Sequence, residues 1–173
     1  MVRNALLSTQ NNTTSITKTI FLTSSHTTMI QSYFSPGNDI LDAITEQLQQ
    51  CTNSLDICVF TLSDDRILDA IVACYRDGIT IRVLSDNDKQ YDRGSDIQTL
   101  CDAGVDVRVD ISDAHMHHKF MVVDEQIVVT GSYNWTRSAA TRNAENIVII
   151  DDPSTADSFL TEYERLWLEA EPV

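Results

Sequence analysis

The sequence predicts an α/β domain in which helices cover both faces of a mixed β-sheet. Strand-like and helix-like segments alternate in the first part of the chain, and strand-like segments cluster in the later part. The 173 residues fit one ordinary domain, and the apolar fraction of 42% is sufficient for a packed core.

The composition changes at residue 28. Residues 1–28 are rich in Ser, Thr and Asn, which bury little surface, so we predict a flexible arm. Within it, only Ile16 to Leu22 is apolar enough to add an edge strand. Residues 29–173 carry regular patterns and form the predicted folded domain. An arm of this kind would also be found in a domain cut from a larger protein.

Seven segments have the pattern of strands. Two alternate apolar with polar side chains, and the others are short apolar runs, most of them β-branched, typical of buried strands. Asp124-Glu125 supplies a tight turn between two of them. In chain order the predicted strands are residues 29–34, 55–60, 79–84, 105–109, 120–123, 127–130 and 146–150.

Four segments have apolar residues at helical spacing. Capping residues precede most of them, and glycines close the second and third. In the last helix, Pro153 occupies the first turn, and Phe159, Tyr163, Leu166 and Trp167 share one face. The predicted helices run from Asn38 or Asp39 to Cys51, from Asp64 to Gly78, from Ile97 to Gly104, and from Asp152 through Trp167.

The chain is strongly acidic, with a net charge of −14. Such a charge opposes binding to polyanions, which argues against a tight, non-specific nucleic-acid binder. It does not argue against an enzyme, because a local positive pocket can receive a phosphate group on an acidic protein.

The cysteines and the N-terminal segment bear on the cellular compartment. Cys51, Cys58, Cys74 and Cys101 show no close pair and lie among apolar residues, so we predict four reduced thiols, with one disulfide as the alternative. No apolar run reaches the roughly 18 residues of a membrane span, and residues 1–10 are a weak match to a signal peptide. We therefore expect a cytoplasmic protein without stable membrane insertion.

The densest polar segment is His115-Met116-His117-His118-Lys119. In a strand, His117 and Lys119 point to one face and His118 to the other. Burial of a His beside a Lys is costly unless an anion such as phosphate compensates the charge. The alternative is an ordinary solvated strand.

Two later segments add hydrogen-bonding groups. Gly131-Ser132-Tyr133-Asn134 brings Ser132 and Asn134 two residues apart, so both can donate towards one cluster of oxygen atoms, although a simple turn has the same composition. Glu145 could accept a hydrogen bond from one ring nitrogen of His117 and leave the other as a nucleophile. Taken alone, Glu145 equally fits a surface position at the entry to a strand.

Together these segments resemble a known family. His117-x-Lys119, followed by Asp124 and then by Gly131-Ser132-x-Asn134, is similar to the HKD motif of the phospholipase D superfamily. The segment Asn143-Ala144-Glu145-Asn146 resembles its companion segment. The likeness extends from about residue 33 to Trp167 and implies that residues 29–173 are a phospholipase D-like catalytic domain.

The resemblance implies a role for each matching residue. His117 would be the nucleophile that forms a phosphohistidine, and Glu145 would orient it. Lys119 and Asn134 would bind the non-bridging phosphate oxygens, and Ser132 would support the phosphate or a facing histidine. Asp124 would be structural, and Gly131 would support the site by allowing a close approach of the backbone.

One departure from the larger family members has a consequence for assembly. Those members carry two HKD motifs, whereas this chain has one. Because double displacement needs a second acid–base group, we predict a homodimer in which His117 of each copy serves one shared site. The small, bacterial-type endonuclease branch of the family is built in this way, and this chain is similar to it in length.

The resemblance implies chemistry without a metal or another cofactor. A zinc site at the three neighbouring histidines is disfavoured, because no Cys or carboxylate completes a tetrahedral set at the usual spacing. Several residues could line a substrate groove around the motif. These candidates are His115, His118, Tyr133, Arg137 and Arg142, with Lys89 and Arg93 as further basic residues.

Three functions fit these predictions. The main hypothesis is a metal-independent endonuclease that cleaves DNA or RNA, which the short single-motif chain favours. The first alternative is a lipid phosphodiesterase acting on a phospholipid such as cardiolipin, although the acidic surface would be repelled by anionic lipid. The second alternative is a phosphate-binding module without catalysis.

Overall fold

The computed structural model describes residues 27–173, and the arm with its predicted strand at residues 16–22 lies mostly outside this range. An eight-stranded mixed sheet organises the domain. Its spatial order is β1-β9-β7-β6-β2-β4-β5-β10, where the strands are β1 Met29–Phe34, β2 Ser54–Val59, β4 Thr80–Ser85, β5 Asp106–Val109, β6 Lys119–Val123, β7 Ile127–Gly131, β9 Asn146–Asp151 and β10 Glu171–Pro172.

The sheet changes direction at its centre. Strands β2, β4 and β5 run parallel, whereas β2 pairs antiparallel with β6, and β6, β7, β9 and β1 continue antiparallel. The carboxyl ends of β2 and β4 therefore lie beside the start of β6. In open α/β sheets, this edge is where ligands bind.

Helices cover both faces, as predicted. On one face, α1 (Asp39–Gln50), α2 (Asp65–Arg76) and α3 (Ile97–Asp102) enclose the larger apolar core. On the other face, α5 (Pro153–Glu169) packs Tyr163 and Trp167 over Phe120 and Val122. Asp64 and Asp152 cap α2 and α5 with their side chains, whereas the side chain of Asn38 makes no capping bond to α1.

Three small features were absent from the sequence prediction. Strands β3 (Leu62–Ser63) and β8 (Trp135–Thr136) form a separate parallel pair, and α4 (Arg137–Thr141) follows directly. Strand β10 closes the edge beside β5. Strands and helices this short leave no periodicity for a pattern to detect. The four cysteines are free thiols, as predicted.

Asp124 fixes the turn between β6 and β7 to the start of β2. Its carboxylate accepts hydrogen bonds from the main-chain N–H of Thr52, Asn53 and Ser54 at 2.9, 2.7 and 3.0 Å. Burial alone would raise the pKa of Asp124, but these bonds outweigh it and hold the pKa at about 2. This geometry agrees with a structural role for the motif's aspartate.

Replacing Asp124 with Asn is expected to destabilise the domain by about 1–2 kcal/mol near neutral pH, because one amide oxygen cannot replace a carboxylate that accepts several N–H groups. Since the pKa is lower in the folded state, this contribution exists above about pH 4 and disappears as the pH falls towards 2. Urea unfolding of both proteins between pH 3 and 7 measures the difference. Glu125→Gln, in the same turn, is the control, and an equal loss in that variant would contradict the assignment.

Candidate active site

His117 and Lys119 meet at the ligand-binding edge of the sheet. Lys119 begins β6 opposite Val59, the last residue of β2, and the ladder extends one residue further through the bond from Phe60 N–H to the His118 carbonyl. The Lys119 ammonium is buried, donates to the His117 carbonyl at 2.8 Å and lies 3.2 Å from His117 Nδ1. The imidazole of His117 is exposed, so the cation is held beneath an accessible ring.

Phe60 is a site residue that sequence reasoning missed. Its ring centre lies 4.5 Å from the His117 ring and 5.2 Å from the His115 ring. Nζ of Lys119 lies 5.0 Å from the same ring centre, and Nζ of Lys89 lies 5.3 Å away. The aromatic ring therefore packs against the nucleophile candidate and attracts two cations. The signal in the sequence that could have identified Phe60 was a large residue directly after a buried parallel strand.

The surroundings favour an unprotonated His117. Partial burial of the ring lowers its pKa, and the positive charge of Lys119 lowers it further. Burial also lowers the pKa of Lys119, while Glu145 opposes that change. At neutral pH the imidazole thus has a free lone pair, which nucleophilic attack requires.

Glu145 organises a second cluster beside this pair. Its carboxylate accepts from Ser132 Oγ at 2.6 Å and from Asn143 Nδ2 at 3.0 Å, and its own N–H donates to Ser35 Oγ at 3.1 Å. No hydrogen bond links Glu145 to His117 within residues 27–173. The expected orienting contact is therefore replaced by one to Ser132, because Glu145 lies in the loop before β9 and its oxygens already have nearer donors.

Gly131 brings Ser132 to Glu145. A Cβ on Gly131 would overlap the main-chain carbonyl of Asn146 and lie 2.8 Å from the Ile147 Cα, so only glycine fits between β7 and β9. This contact places Ser132 N–H 3.1 Å from the Asn146 carbonyl. The supporting role predicted for Gly131 has a clear steric basis here.

Asn134 holds a polar group without a partner. Its side chain is half-buried, and Oδ1 is buried with no hydrogen bond to any residue in the described part of the chain. An unpaired buried polar atom costs free energy, and a ligand is one way to satisfy it. Oδ1 accepts hydrogen bonds and therefore needs a donor, so the predicted contact of Asn134 with phosphate oxygens would have to come from its Nδ2 group.

Of the residues predicted to line a groove, Tyr133 lies in the core, whereas the arginines lie on the surface. Tyr133 is 1% exposed in the core, where burial raises the pKa of its hydroxyl to about 12, so its predicted place in the groove is wrong. Its ring packs with the larger apolar core, which explains this position. Arg137 lies on the surface and donates to Asp65 at 2.8 Å, which uses its charge within the protein. Arg142 and Arg93 are exposed.

The comparison of sequences now identifies the family. The profile of the family described as "Cardiolipin synthase, PLD-like domain" matches residues 44–167, most of the chain and both clusters of the site. The chain belongs to the phospholipase D-like family. This is the family that the HKD resemblance implied.

Several curated relatives of this phospholipase D-like chain share one name. The chain is 42% identical over 127 residues to the mitochondrial cardiolipin hydrolase of Chlamydomonas reinhardtii, covering 73% of this chain and 57% of that protein. The relative of the same name from Xenopus laevis is 45% identical over 126 residues, covering 73% and 60%. The chain thus spans little more than half the length of these relatives.

Solved structures support the phospholipase D-like fold. Nuc from Salmonella typhimurium, a phospholipase D family member, matches with a TM-score of 0.80 and 25% identity over 85% of this chain and 99% of its own. NucT from Helicobacter pylori matches with a TM-score of 0.78 and 19% identity, covering 85% and 100%, which supports the fold alone.

The names of the curated relatives contradict the predicted cytoplasmic localisation. Cytoplasmic localisation was inferred from a weak N-terminal signal, but the curated relatives are named mitochondrial enzymes, which points to mitochondria instead. The composition of ten residues is not sufficient to detect a mitochondrial targeting signal. Among the helices of residues 27–173, none has the length and apolarity to cross a bilayer.

The other histidines of the phospholipase D-like site have acidic neighbours. His115 Nδ1 lies 3.2 Å from Asp86 Oδ2 and 3.9 Å from Asp88 Oδ2. The sequence argument found no carboxylate for a metal set, because these aspartates come from the distant end of β4. Asp86 is fully buried, and its carboxylate accepts hydrogen bonds from the N–H groups of Met116 and Asp88. These bonds stabilise the buried carboxylate and fix the loop before β6.

A groove of about 300 Å³ opens beside His117. Segment 110–118 forms one side, and the end of α5 forms the other. His115 and His118, two of the residues predicted to line a substrate groove, both line this cavity. His118 is held there by Glu162 of α5, whose Oε1 lies 3.5 Å from His118 Nε2.

Proposed function

We propose that this chain hydrolyses a phospholipid of the cardiolipin type through a covalent phosphohistidine on His117. The observation that carries the proposal is the exposed His117 imidazole with lowered pKa above the buried Lys119 ammonium. The substrate class rests on the curated relatives, which are named cardiolipin hydrolases.

The proposed reaction has two displacements. The neutral His117 imidazole attacks phosphorus, a P–N bond forms, and the P–O bond to the leaving alcohol breaks as that oxygen takes up a proton. Water then attacks phosphorus, gives up a proton, and releases His117 with the phosphate product. Lys119 and Asn134 would hold the non-bridging oxygens, where negative charge must be stabilised without reorganisation.

The acid–base group in this proposal is His117 of the partner subunit. The site would form across a two-fold axis, because the chain carries one HKD motif and the chemistry needs two histidines. In this arrangement, two Lys119 ammonium groups would face one phosphate and supply the local positive charge that the acidic surface lacks.

Subunit mixing tests the shared site. When wild-type and His117→Asn chains are co-expressed in varied ratios, activity per wild-type chain should fall in proportion to the wild-type fraction, since a mixed dimer lacks one of the two histidines. Activity that stays constant per wild-type chain would show that each chain works alone. Different affinity tags on the two chains, captured one after the other, verify that mixed dimers formed.

The negative net charge repels an anionic membrane as well as a polynucleotide, but it opposes a long polyanion more strongly than one phospholipid in a local pocket. The net charge is −14, and two arginines on the described surface are already committed to carboxylates, Arg137 to Asp65 and Arg165 to Glu162. Few cations remain to follow a nucleic-acid backbone. Cardiolipin presents compact phosphodiester groups, which one local pocket can neutralise.

An endonuclease is the second candidate. The single motif favours it, and this domain matches Nuc over 99% of that chain with a TM-score of 0.80. The two candidates share the chemistry at His117 and differ in what the groove walls must bind.

One assay separates the candidates. In excess EDTA, the wild type should hydrolyse cardiolipin in detergent micelles, and His117→Asn should lose at least about a thousandfold of this activity because it has no nucleophile. A labelled single-stranded oligonucleotide is assayed in parallel. Cleavage of the oligonucleotide alone would transfer the proposal to the nuclease. Turnover that survives His117→Asn would remove the phosphohistidine, and activity only after metal addition would contradict a metal-independent reaction.

A further inference from the structure

We infer that the groove beside His117 binds an acyl chain of the phospholipid substrate, an inference that rests on the proposed function. The groove is continuous with the nucleophile, since His117 is one of its lining residues. A substrate whose phosphorus lies at His117 can therefore extend a covalently attached chain directly into it.

Part of the groove wall is apolar, among polar and charged lining residues. Met116 is 5% exposed and Ala170 is 8% exposed, and both line it together with Leu166 of α5. Ile111, in the loop after β5, also lines the groove and is 61% exposed. An exposed isoleucine in the groove wall gains free energy when a hydrocarbon chain covers it.

The charged rim opposes an anionic occupant. Arg165 is the cation of the rim, and it is paired with Glu162 at 2.8 Å and with Glu169 at 3.2 Å. Asp110 also lines the groove, and its carboxylate accepts from the N–H groups of Asn87 and Ser112. A polynucleotide that entered the groove would bring its next phosphates against this surplus of carboxylates, whereas an acyl chain of the lipid that entered it carries no charge.

The same helix offers a matched control. Leu166 lines the groove, while Leu168, two positions later on α5, does not line it and is 80% exposed. Leu166→Gln and Leu168→Gln introduce the same side chain into the same helix. Ile111→Gln is a second groove variant in an exposed loop, where the change does not touch the packed core.

The test compares two soluble substrates that differ only in acyl chains. Short-chain cardiolipin below its micelle concentration and fully deacylated cardiolipin contain the same phosphodiester groups, so membrane binding plays no part. We expect the wild type to prefer the acylated substrate in kcat/KM, mainly through KM. Leu166→Gln and Ile111→Gln should each reduce this preference by about tenfold, and Leu168→Gln should retain it.

Each other outcome overturns the inference in a distinguishable way. If the wild type cleaves both substrates equally well, or if Leu166→Gln and Leu168→Gln keep the same preference, the groove does not bind the chain, although the proposed function stands. If neither substrate is cleaved while a single-stranded oligonucleotide is, both the inference and the proposed function fall.

Discussion

Replacing Lys119 with Met should reduce kcat by about a hundred- to a thousandfold while the domain stays folded. The Lys119 side chain is buried, and its ammonium lies 3.2 Å from Nδ1 of His117, the residue proposed to attack phosphorus. Met has a similar length and no charge, so the change removes stabilisation of the transition state without leaving a large cavity. The free energy of unfolding should change little, because a buried charge is removed together with its desolvation cost.

The same variant should shift the titration of His117. Lys119 is one of the causes that lower the pKa of this histidine, after partial burial of the ring. Removing the charge therefore raises the pKa, and the acidic limb of the pH–rate profile moves to higher pH. NMR of the His117 ring protons measures the shift independently of turnover. A kcat loss without any shift would leave Lys119 a phosphate-binding role alone.

Lys89→Met is the control for this prediction. Lys89 also lies near the Phe60 ring, at 5.3 Å, but its ammonium bonds to Asp92. Its loss should reduce activity by well under tenfold, since exposed and salt-bridged charges contribute little. An equal effect of the two substitutions would show that general positive charge, and not the position beneath His117, supports the reaction.

The regular elements of the fold followed from the sequence because each carries its own local signal. The helix from Asp65 to Arg76 repeats apolar residues on one face and is capped by Asp64, and β6 and β7 flank a turn that only a few residue types tolerate. The strand order has no such signal. The antiparallel contact of β2 with β6 joins segments far apart in the chain, and it is this contact that creates the site.

The site residues that belong to the sequence motif were predictable. The residues that join the site only through tertiary contacts were not. His117, Lys119, Ser132 and Glu145 form the two clusters, yet Glu145 contacts Ser132 instead of His117. Phe60 and Asp86 were missed because each becomes a site neighbour only when the ends of β2 and β4 meet the loop before β6. Tyr133 was misplaced because adjacent residues of a loop can point into the core or the groove, which composition does not distinguish.

The second large effect is expected at Gly131. Gly131→Ala should destabilise the domain by about 2–4 kcal/mol, because the new Cβ overlaps the main chain of Asn146 and backbone cannot yield as a flexible side chain does. To relieve the overlap, β7 and β9 must separate at the pair Gly131↔Ile147. That movement shifts Ser132 away from Glu145, so kcat should fall by at least about a hundredfold even in the fraction that folds.

Two comparisons isolate the steric cause at Gly131. Gly94→Ala also places a side chain at a glycine, with φ of +86° and nothing within 4 Å, so it should cost only about 1–2 kcal/mol from backbone strain. Ser132→Ala removes the bond to Glu145 without any overlap and should affect kcat more than stability. Urea unfolding and kcat of the three variants give the answer. If Gly131→Ala were no less stable than Gly94→Ala, the close approach of β7 and β9 would not determine the position of Ser132.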